Sequence, residues 1–146
     1  MTKEKFFATG QCLCGDVKYT ITAKPVRFVQ CHCDDCRRTT GTGHTSNAFF
    51  KQDAVNIIGE THSHAVVTDT GSIISRYFCP RCGSHLFGKS SVFTKFIGIS
   101  AGTLDDSSWF KADVIVYNKR KPAWDFMDNS ITTYEEMPPP RSKKHK

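Results

Sequence analysis

Residues 30–41, QCHCDDCRRTTG, place three cysteines within six positions: Cys31, Cys33 and Cys36. A tetrahedral thiolate site needs four ligands, and this segment supplies three of them. Because residues i and i+2 of a strand point to the same face, the C-x-C pair directs two sulfurs the same way, and the following turn brings the third sulfur towards them. Three protein ligands with an exchangeable fourth position are typical of a catalytic zinc site, so the segment predicts one.

The other four cysteines form two further pairs with metal-ligand spacing. One pair is the C-x-C of residues 10–15 (GQCLCG), and the other is the C-x-x-C of residues 79–83 (CPRCG): Cys12, Cys14, Cys79 and Cys82. Gly83 permits a left-handed turn after the second cysteine of the latter pair, so that its two sulfurs converge. Together the two pairs would complete a four-thiolate structural site that ties distant segments to each other and contributes folding free energy.

Spacing alone leaves other partitions of the seven cysteines open. The two C-x-C pairs could share one metal ion, which would leave Cys36 with the C-x-x-C pair. A histidine could also supply a fourth ligand to the triplet. His44, just past the glycine turn, is the first histidine to test, whereas His32 lies between two cysteines and points away from them in a strand. The other histidines are expected to be ordinary surface or hydrogen-bonded residues.

The size and composition of the chain indicate one small domain. It has 146 residues, of which 38% are hydrophobic, and a mean hydropathy of −0.39 without a long apolar run. The first ten residues, MTKEKFFATG, contain an apolar run of only three residues, which is too short for a signal peptide. A cytoplasmic location without membrane association is therefore expected. In that reducing compartment, metal ligation explains seven cysteines better than disulfides do.

Short strands separated by turns are predicted along the body of the chain, which makes the fold class all-β. Seven segments are rich in β-branched and aromatic residues: VKYTIT (17–22), VRFVQCH (26–32), SNAFF (46–50), AVNII (54–58), SIISRYF (72–78), FIGIS (96–100) and DVIVY (113–117). Helix is confined to short pieces, of which CDDCRRTTG (33–41) is the main candidate. We predict a flexible N-terminus over residues 1–9, a single zinc-binding β domain over residues 10–137 and a disordered basic tail over residues 138–146.

The positive charge of the chain does not by itself indicate a nucleic-acid partner. The net charge is +6 at pH 7 and the pI is about 9.0. The terminal segment RSKKHK (141–146) supplies four of the positive charges, which leaves +6 − 4 = +2 for the rest. The other basic residues are scattered and there is no recognition-helix pattern, so nucleic acid is not an expected partner. The remaining charge could favour an anionic small molecule.

Five segments of this sequence resemble a known enzyme family in order and spacing: GQCLCGDVKY, QCHCDDCRRTTGTG, YFCPRCGSHLF, SAGTLDD and KPAW. Over residues 10 to about 137 the chain resembles the glutathione-dependent formaldehyde-activating enzymes, or S-(hydroxymethyl)glutathione synthases, in a superfamily that includes centromere protein V. The resemblance implies two curved antiparallel sheets around zinc sites, similar to the methionine sulfoxide reductase B fold, with short helical turns only. It also implies the partition of the ligands. Cys12, Cys14, Cys79 and Cys82 would hold a structural zinc, and Cys31, Cys33 and Cys36 a second, catalytic zinc.

The activity implied by the resemblance is that of a zinc-dependent carbon–sulfur lyase. The partners would be glutathione or a similar thiol, and formaldehyde or a related small aldehyde. Two Zn²⁺ sites are expected, the second only partly occupied. The protein is expected to be a monomer or a homodimer. Arg37 and Arg38 could pair with the carboxylates of glutathione, and Asp34 or Asp35 could transfer the proton of the product. The alternatives are a non-catalytic zinc module that binds protein or nucleic acid, and redox chemistry at the cysteine triplet.

Overall fold

The computed structural model describes residues 6–139, which form two β-sheets and one α-helix. The strands are β1 (Ala8–Gln11), β2 (Lys18–Ile21), β3 (Arg27–Cys31), β4 (Thr45–Lys51), β5 (Val55–Ile58), β6 (His62–Val67), β7 (Ile73–Phe78), β8 (His85–Ser90), β9 (Phe96–Ser100), β10 (Val114–Val116) and β11 (Thr132–Thr133). The helix is α1 (Asp34–Thr40), and three single-turn 3-10 helices lie at Gln52–Ala54, Ala101–Thr103 and Asn118–Arg120.

The two sheets differ in size and in strand direction. The smaller sheet has the order β1-β2-β5 and is antiparallel, whereas the larger has the order β11-β10-β3-β4-β9-β8-β7-β6. Within the larger sheet, β10 runs parallel to β3 and to β11. Parallel neighbours cannot be joined by a tight hairpin: β4 to β9 lie between β3 and β10 in the chain, and residues 117–131 connect β10 to β11. The predicted all-β fold with two sheets is confirmed, but the sheets are not antiparallel throughout.

The predicted segments are found as strands, and several strands were not predicted. The seven predicted segments correspond to β2, β3, β4, β5, β7, β9 and β10, and the predicted short helix corresponds to α1. Strands β1, β6, β8 and β11 had no counterpart in the prediction. Strand β1 includes Ala8 and Thr9, which the sequence analysis assigned to the flexible N-terminus. Residues 1–5, and residues 140–146 of the predicted tail, lie outside the described part of the chain.

The hydrophobic core lies where the small sheet packs on the large one. Tyr19 and Ile21 of β2, Phe50 of β4, and Ile97 and Ile99 of β9 are each at most 2% exposed and belong to one cluster. Alternate residues of each strand contribute to it, as the period of two in a half-buried strand requires. Cys12 and Cys79 belong to the same cluster, so the four-cysteine group is attached directly to the core.

Within residues 6–139, no helix is both long and apolar enough to span a membrane.

Candidate active site

Four cysteines from two distant segments meet in one cluster: Cys12, Cys14, Cys79 and Cys82. The Sγ atoms of Cys12 and Cys14 are 3.7 Å apart, and those of Cys14 and Cys79 are 3.8 Å apart. All are free thiols. Sulfurs bound to one zinc ion at about 2.3 Å in a tetrahedron lie about 3.8 Å from each other. The cluster therefore fits a closed four-thiolate zinc site.

Backbone amides hold the sulfurs of this cluster in place. The N–H of Val17 donates to the Sγ of Cys12 over 3.3 Å, and the N–H of Cys82 donates to the Sγ of Cys79 over 3.5 Å. Gly83 takes the left-handed conformation expected after the second ligand, with a φ of +80°, and its N–H donates to the Cys79 carbonyl. Such donors stabilise thiolate over thiol, which is the form that binds metal.

The second cluster is local and contains three sulfurs. Cys31 ends β3, Cys33 precedes α1, and Cys36 lies in the first turn of α1. Their Sγ atoms lie within 4.8 Å of one another. The Sγ of Cys33 acts as the N-cap of α1 because it accepts the N–H of Cys36 over 3.3 Å. The helix predicted for this segment therefore serves to direct the third sulfur towards the other two.

The sulfur of Cys36 is surrounded by donors. Hydrogen bonds from Cys31 and Cys33 lower the pKa of the Cys36 thiol most, and the Thr45 hydroxyl and the positive charge of Arg76 lower it further. The Nη2 of Arg76 lies 4.0 Å from the Sγ of Cys36. The hydrogen bonds that Cys31 makes with Cys33 and Cys36 raise the pKa of the Cys31 thiol. The cluster is thus an anionic centre with a cation beside it.

A cavity of about 360 Å³ opens next to this centre, between α1 and the outer strands of the large sheet. Its walls are Asp35, Arg38 and Thr39 on the helix side and His64, Val66, Arg76, Phe78, Gly83 and His85 on the sheet side. Arg76 links the two features, since it contacts the sulfur of Cys36 and also lines the cavity. None of the three cysteines lines the cavity, so a small molecule there would meet the cluster through Arg76.

A third cluster holds the loop after α1 against a distant segment of the chain. The Nδ1 of His44 lies 2.7 Å from the Oδ2 of Asp125, and the Nδ1 of His32 lies 2.8 Å from the carbonyl of Gly43 and 3.4 Å from Asp125. His32 is fully buried. These three side chains lie close enough to hold a metal ion. The Nδ1 atoms of His32 and His44 are used in hydrogen bonds, whereas the Nε2 of His32 is buried without a partner among residues 6–139.

The structure separates the predicted site residues into two sets. Arg38 and Asp35 line the cavity, whereas Arg37 pairs with Asp34 at 3.5 Å on the exposed side of α1. His44 was the first candidate for a fourth ligand, but it lies with Asp125 and is not part of the three-thiol group.

Three residues of these clusters were not predicted from the sequence: Arg76, Thr45 and Asp125. Arg76 gave the clearest signal, because it is a charged residue that shares one face of β7 with two apolar ones.

These features define a class of protein: a small two-sheet β domain with a closed four-thiol cluster and an open three-thiol cluster beside a cationic cavity. The family model described as glutathione-dependent formaldehyde-activating enzyme matches residues 7–120. The chain belongs to this family.

Similar proteins carry the name of the same family. A Podospora anserina protein, named as a candidate glutathione-dependent formaldehyde-activating enzyme, is 25% identical over 149 residues, which is 90% of this chain and 70% of the relative. An Aspergillus flavus protein with the same name is 23% identical over 146 residues, which is 88% of this chain and 76% of the relative. The crystal structure of a Rhodobacter sphaeroides protein has a TM-score of 0.54 at 18% identity, over 66% of this chain and 87% of that one, and shows a shared fold.

Proposed function

We propose that this protein is a zinc-dependent enzyme of the carbon–sulfur lyase type, which condenses a glutathione-like thiol with formaldehyde or a related small aldehyde. The observation that carries the proposal is the group of three free thiols, Cys31, Cys33 and Cys36, beside a cavity of about 360 Å³. Family membership supports both the thiol and the aldehyde as substrates. Three thiolates with a fourth position available are the donor set of a catalytic zinc ion.

The second zinc ion would be held by Cys31, Cys33 and Cys36. When bound there, zinc supplies an electrophilic centre that lowers the pKa of an incoming thiol. Three thiolates carry one more negative charge than Zn²⁺ neutralises, and the guanidinium of Arg76, 4.0 Å from Cys36, offsets that excess. Arg76 therefore makes the approach of a further thiolate less unfavourable.

The proposed reaction is an addition that needs no oxidant or reductant. The thiol sulfur forms a bond to the aldehyde carbon, the π bond of the carbonyl breaks, and the thiol proton ends on the oxygen of the hemithioacetal. Asp35 lines the cavity and is the better placed of the two acidic residues to carry this proton, because Asp34 is paired with Arg37. The residues of the cavity would also hold the two reactants together, which supplies part of the acceleration.

The first zinc site has a structural role in this proposal. The four-cysteine cluster joins the turn after β1 to the turn between β7 and β8. Two of its members, Cys12 and Cys79, belong to the hydrophobic core. We expect between one and two zinc ions per chain, because a four-thiolate site retains its metal more tightly than a three-thiolate site. A cytoplasmic location and a monomeric or homodimeric state remain predictions.

Because the addition also proceeds without a catalyst, the test must measure a rate rather than product formation. NMR measures the rate of exchange between free formaldehyde and the hemithioacetal. Full-length protein isolated under reducing conditions should accelerate the exchange, and Cys33→Ser should abolish the acceleration while remaining folded. Arg81→Gln is the control, because Arg81 is exposed and, within residues 6–139, its one ion pair is with Asp16. Failure of the wild-type protein to accelerate exchange would contradict the proposal. Salt-sensitive affinity for random DNA would then favour the non-catalytic module.

A further inference from the structure

We infer that His85 is the base that accepts the proton of the substrate thiol, and that Ser100 holds its ring in position. The inference rests on the proposed function and adds to it a residue that the proposed reaction does not yet use. His85 begins β8 and lines the cavity beside α1. From the sequence, this histidine was expected to be an ordinary surface or hydrogen-bonded residue.

The proposed addition releases a proton before it consumes one. When the thiol is activated, its S–H bond breaks and the electron pair stays on sulfur. The thiolate then forms the carbon–sulfur bond, the π electrons of the carbonyl move to the oxygen, and the oxygen takes up a proton. A base has to hold the proton between these two steps. Transfer is most effective when the pKa of the acceptor is close to the working pH, a condition that an imidazole meets better than a carboxylate.

One ring nitrogen of His85 is held, and the other is unpaired. Its Nδ1 lies 2.8 Å from the Oγ of Ser100 on the neighbouring strand β9. Its Nε2 is buried and has no hydrogen-bond partner among residues 6–139. We assign the tautomer in which Nδ1–H donates to Ser100, because the alternative would bury an N–H group without an acceptor. In this tautomer Nε2 carries the lone pair of a base, and the base is oriented by a third group.

Arg76 connects His85 to the three-thiol cluster. Its guanidinium lies 4.0 Å from the Sγ of Cys36 and also forms part of the cavity wall. The same positive charge is close enough to His85 to affect its titration. The ring of His85 therefore lies on the side of the cavity from which a bound molecule meets the cluster.

The surroundings of His85 keep its ring neutral and able to accept a proton. Burial, and after it the charge of Arg76, lower the pKa of His85. The other titratable groups of the cavity are His64 on β6 and Asp35 and Arg38 on α1. An imidazolium formed between two arginines is destabilised, so it gives up its proton readily. Asp35, on the helix side of the cavity, carries that proton on to the oxygen, and no net charge remains on the protein.

His64 lines the same cavity but is less suited to this role. It lies on the outer strand of the large sheet, and its side chain is exposed. An exposed ring is free to turn, whereas the ring of His85 is fixed by Ser100. Fixing the acceptor before the substrate arrives is what makes proton transfer by a side chain effective.

The first test reads the tautomer without turnover. Long-range ¹H–¹⁵N NMR of the zinc-loaded full-length protein, labelled with ¹⁵N-histidine, distinguishes the two neutral tautomers from the imidazolium. At neutral pH, His85 should be neutral with its proton on Nδ1, and His85→Gln identifies its signals. Ser100→Ala should give a mixture of tautomers, because the acceptor of the Nδ1–H is lost. A proton on Nε2, or an imidazolium at neutral pH, would overturn the inference.

The second test measures exchange between formaldehyde and its glutathione hemithioacetal by NMR. His85→Gln should lower kcat about 100-fold, the lower part of the range for a positioned acid or base, and leave KM within about twofold. Ser100→Ala should lower kcat about tenfold, also without a change in KM. His62→Gln is the control, because His62 is exposed, lies 3.5 Å from Glu60 and does not line the cavity.

A free base in solution separates a chemical role of His85 from a structural one. His85→Ala removes the ring, and added imidazole should restore part of the lost kcat in proportion to its neutral form. No rescue in a folded variant with its zinc bound would overturn the inference, as would an unchanged kcat in His85→Gln or an equal loss in His64→Gln. Each of these results leaves the proposed function intact. Failure of the wild-type protein to accelerate exchange would contradict the proposed function and remove this inference with it.

Discussion

The sulfur of Cys14 lies 3.8 Å from the sulfur of Cys79, a residue 65 positions further along the chain. The first belongs to the turn between β1 and β2, and the second follows β7. The four-cysteine cluster thus closes a long loop of chain across both sheets. A metal ion that links such distant segments stabilises the folded chain much more than one held by neighbours in sequence.

The first prediction is that Cys79→Ser prevents stable folding. A structural zinc site contributes on the order of 10 kcal/mol, which is comparable with the whole free energy of unfolding of a small domain. Circular dichroism should show no cooperative thermal transition for this variant. Cys33→Ser is the matched control, because its site involves only residues 31–36, and it should unfold cooperatively with about one zinc ion bound. If both variants unfold alike, the triplet is also structural.

The second prediction concerns removal of metal by a chelator. Zinc should leave in two phases, the first from the local three-thiol site with little change in the far-ultraviolet spectrum, and the second together with unfolding. The order follows from the number of thiolates in each site and from the attachment of Cys12 and Cys79 to the core. Zinc release is followed with a chromophoric indicator alongside circular dichroism. A single phase coincident with unfolding would show that the two sites are lost together.

The third prediction tests the packing of Asp125 against the loop after α1. A Cβ atom on Gly43 would overlap the carboxylate of Asp125, so Gly43→Ala should displace it from His44. Asp125→Ala leaves the N–H of His44 without an acceptor, at a cost of about 1–3 kcal/mol in the free energy of unfolding. Gly43→Ala should cost a similar amount, as measured by urea denaturation.

A double-mutant cycle distinguishes this contact from a backbone effect. In the Asp125→Ala background, Gly43→Ala should have almost no further effect, because the carboxylate that it displaces is already absent. Additive losses from the two substitutions would show that the overlap is not the cause.

Much of the fold was predictable because its strands carry a local signal. Strand β2, with Tyr19 and Ile21 directed to the core, shows the alternation of a half-buried strand directly in its sequence. Strand β6 does not, because it is the outer strand of the large sheet and five of its six residues are exposed. Its sequence, HSHAVV, has polar residues in the first half and apolar ones in the second, without the alternation of a half-buried strand, as an edge strand permits.

The candidate site was predictable only where its residues are close in sequence. The three sulfurs of the triplet lie within six positions, and their spacing alone predicted a group. Arg76 reaches Cys36 from 40 positions away, and Asp125 reaches His44 from 81 positions away. Contacts of this kind depend on the order of strands in the sheet, for which a single sequence contains no local signal. The choice between Arg37 and Arg38 likewise depends on which face of α1 meets the sheet.

The last prediction concerns Thr45, which is opposite Cys31 in the pairing of β3 and β4. Its hydroxyl is buried without a hydrogen-bond partner among residues 6–139, and it lies near enough to Cys36 to lower the pKa of that thiol. We therefore expect it to donate to the Cys36 sulfur when a metal ion holds that sulfur as a thiolate. Thr45→Val keeps the shape and removes the donor. Because groups that hydrogen-bond to a metal ligand typically contribute 10–100-fold to metal affinity, the second zinc ion should bind about tenfold more weakly.

The fold should tolerate this change, because a buried hydroxyl is replaced by a methyl group of the same volume, and the free energy of unfolding of the metal-loaded protein should shift by less than about 1 kcal/mol. Thr45→Ser restores the hydroxyl and should restore the affinity. The measurement is a competition titration with a chromophoric chelator, in which the four-thiol site stays filled and only the weaker site exchanges. If Thr45→Val binds the second zinc ion as tightly as the wild-type protein, the hydroxyl does not support Cys36, and the groups that stabilise that sulfur reduce to the two neighbouring thiols and Arg76.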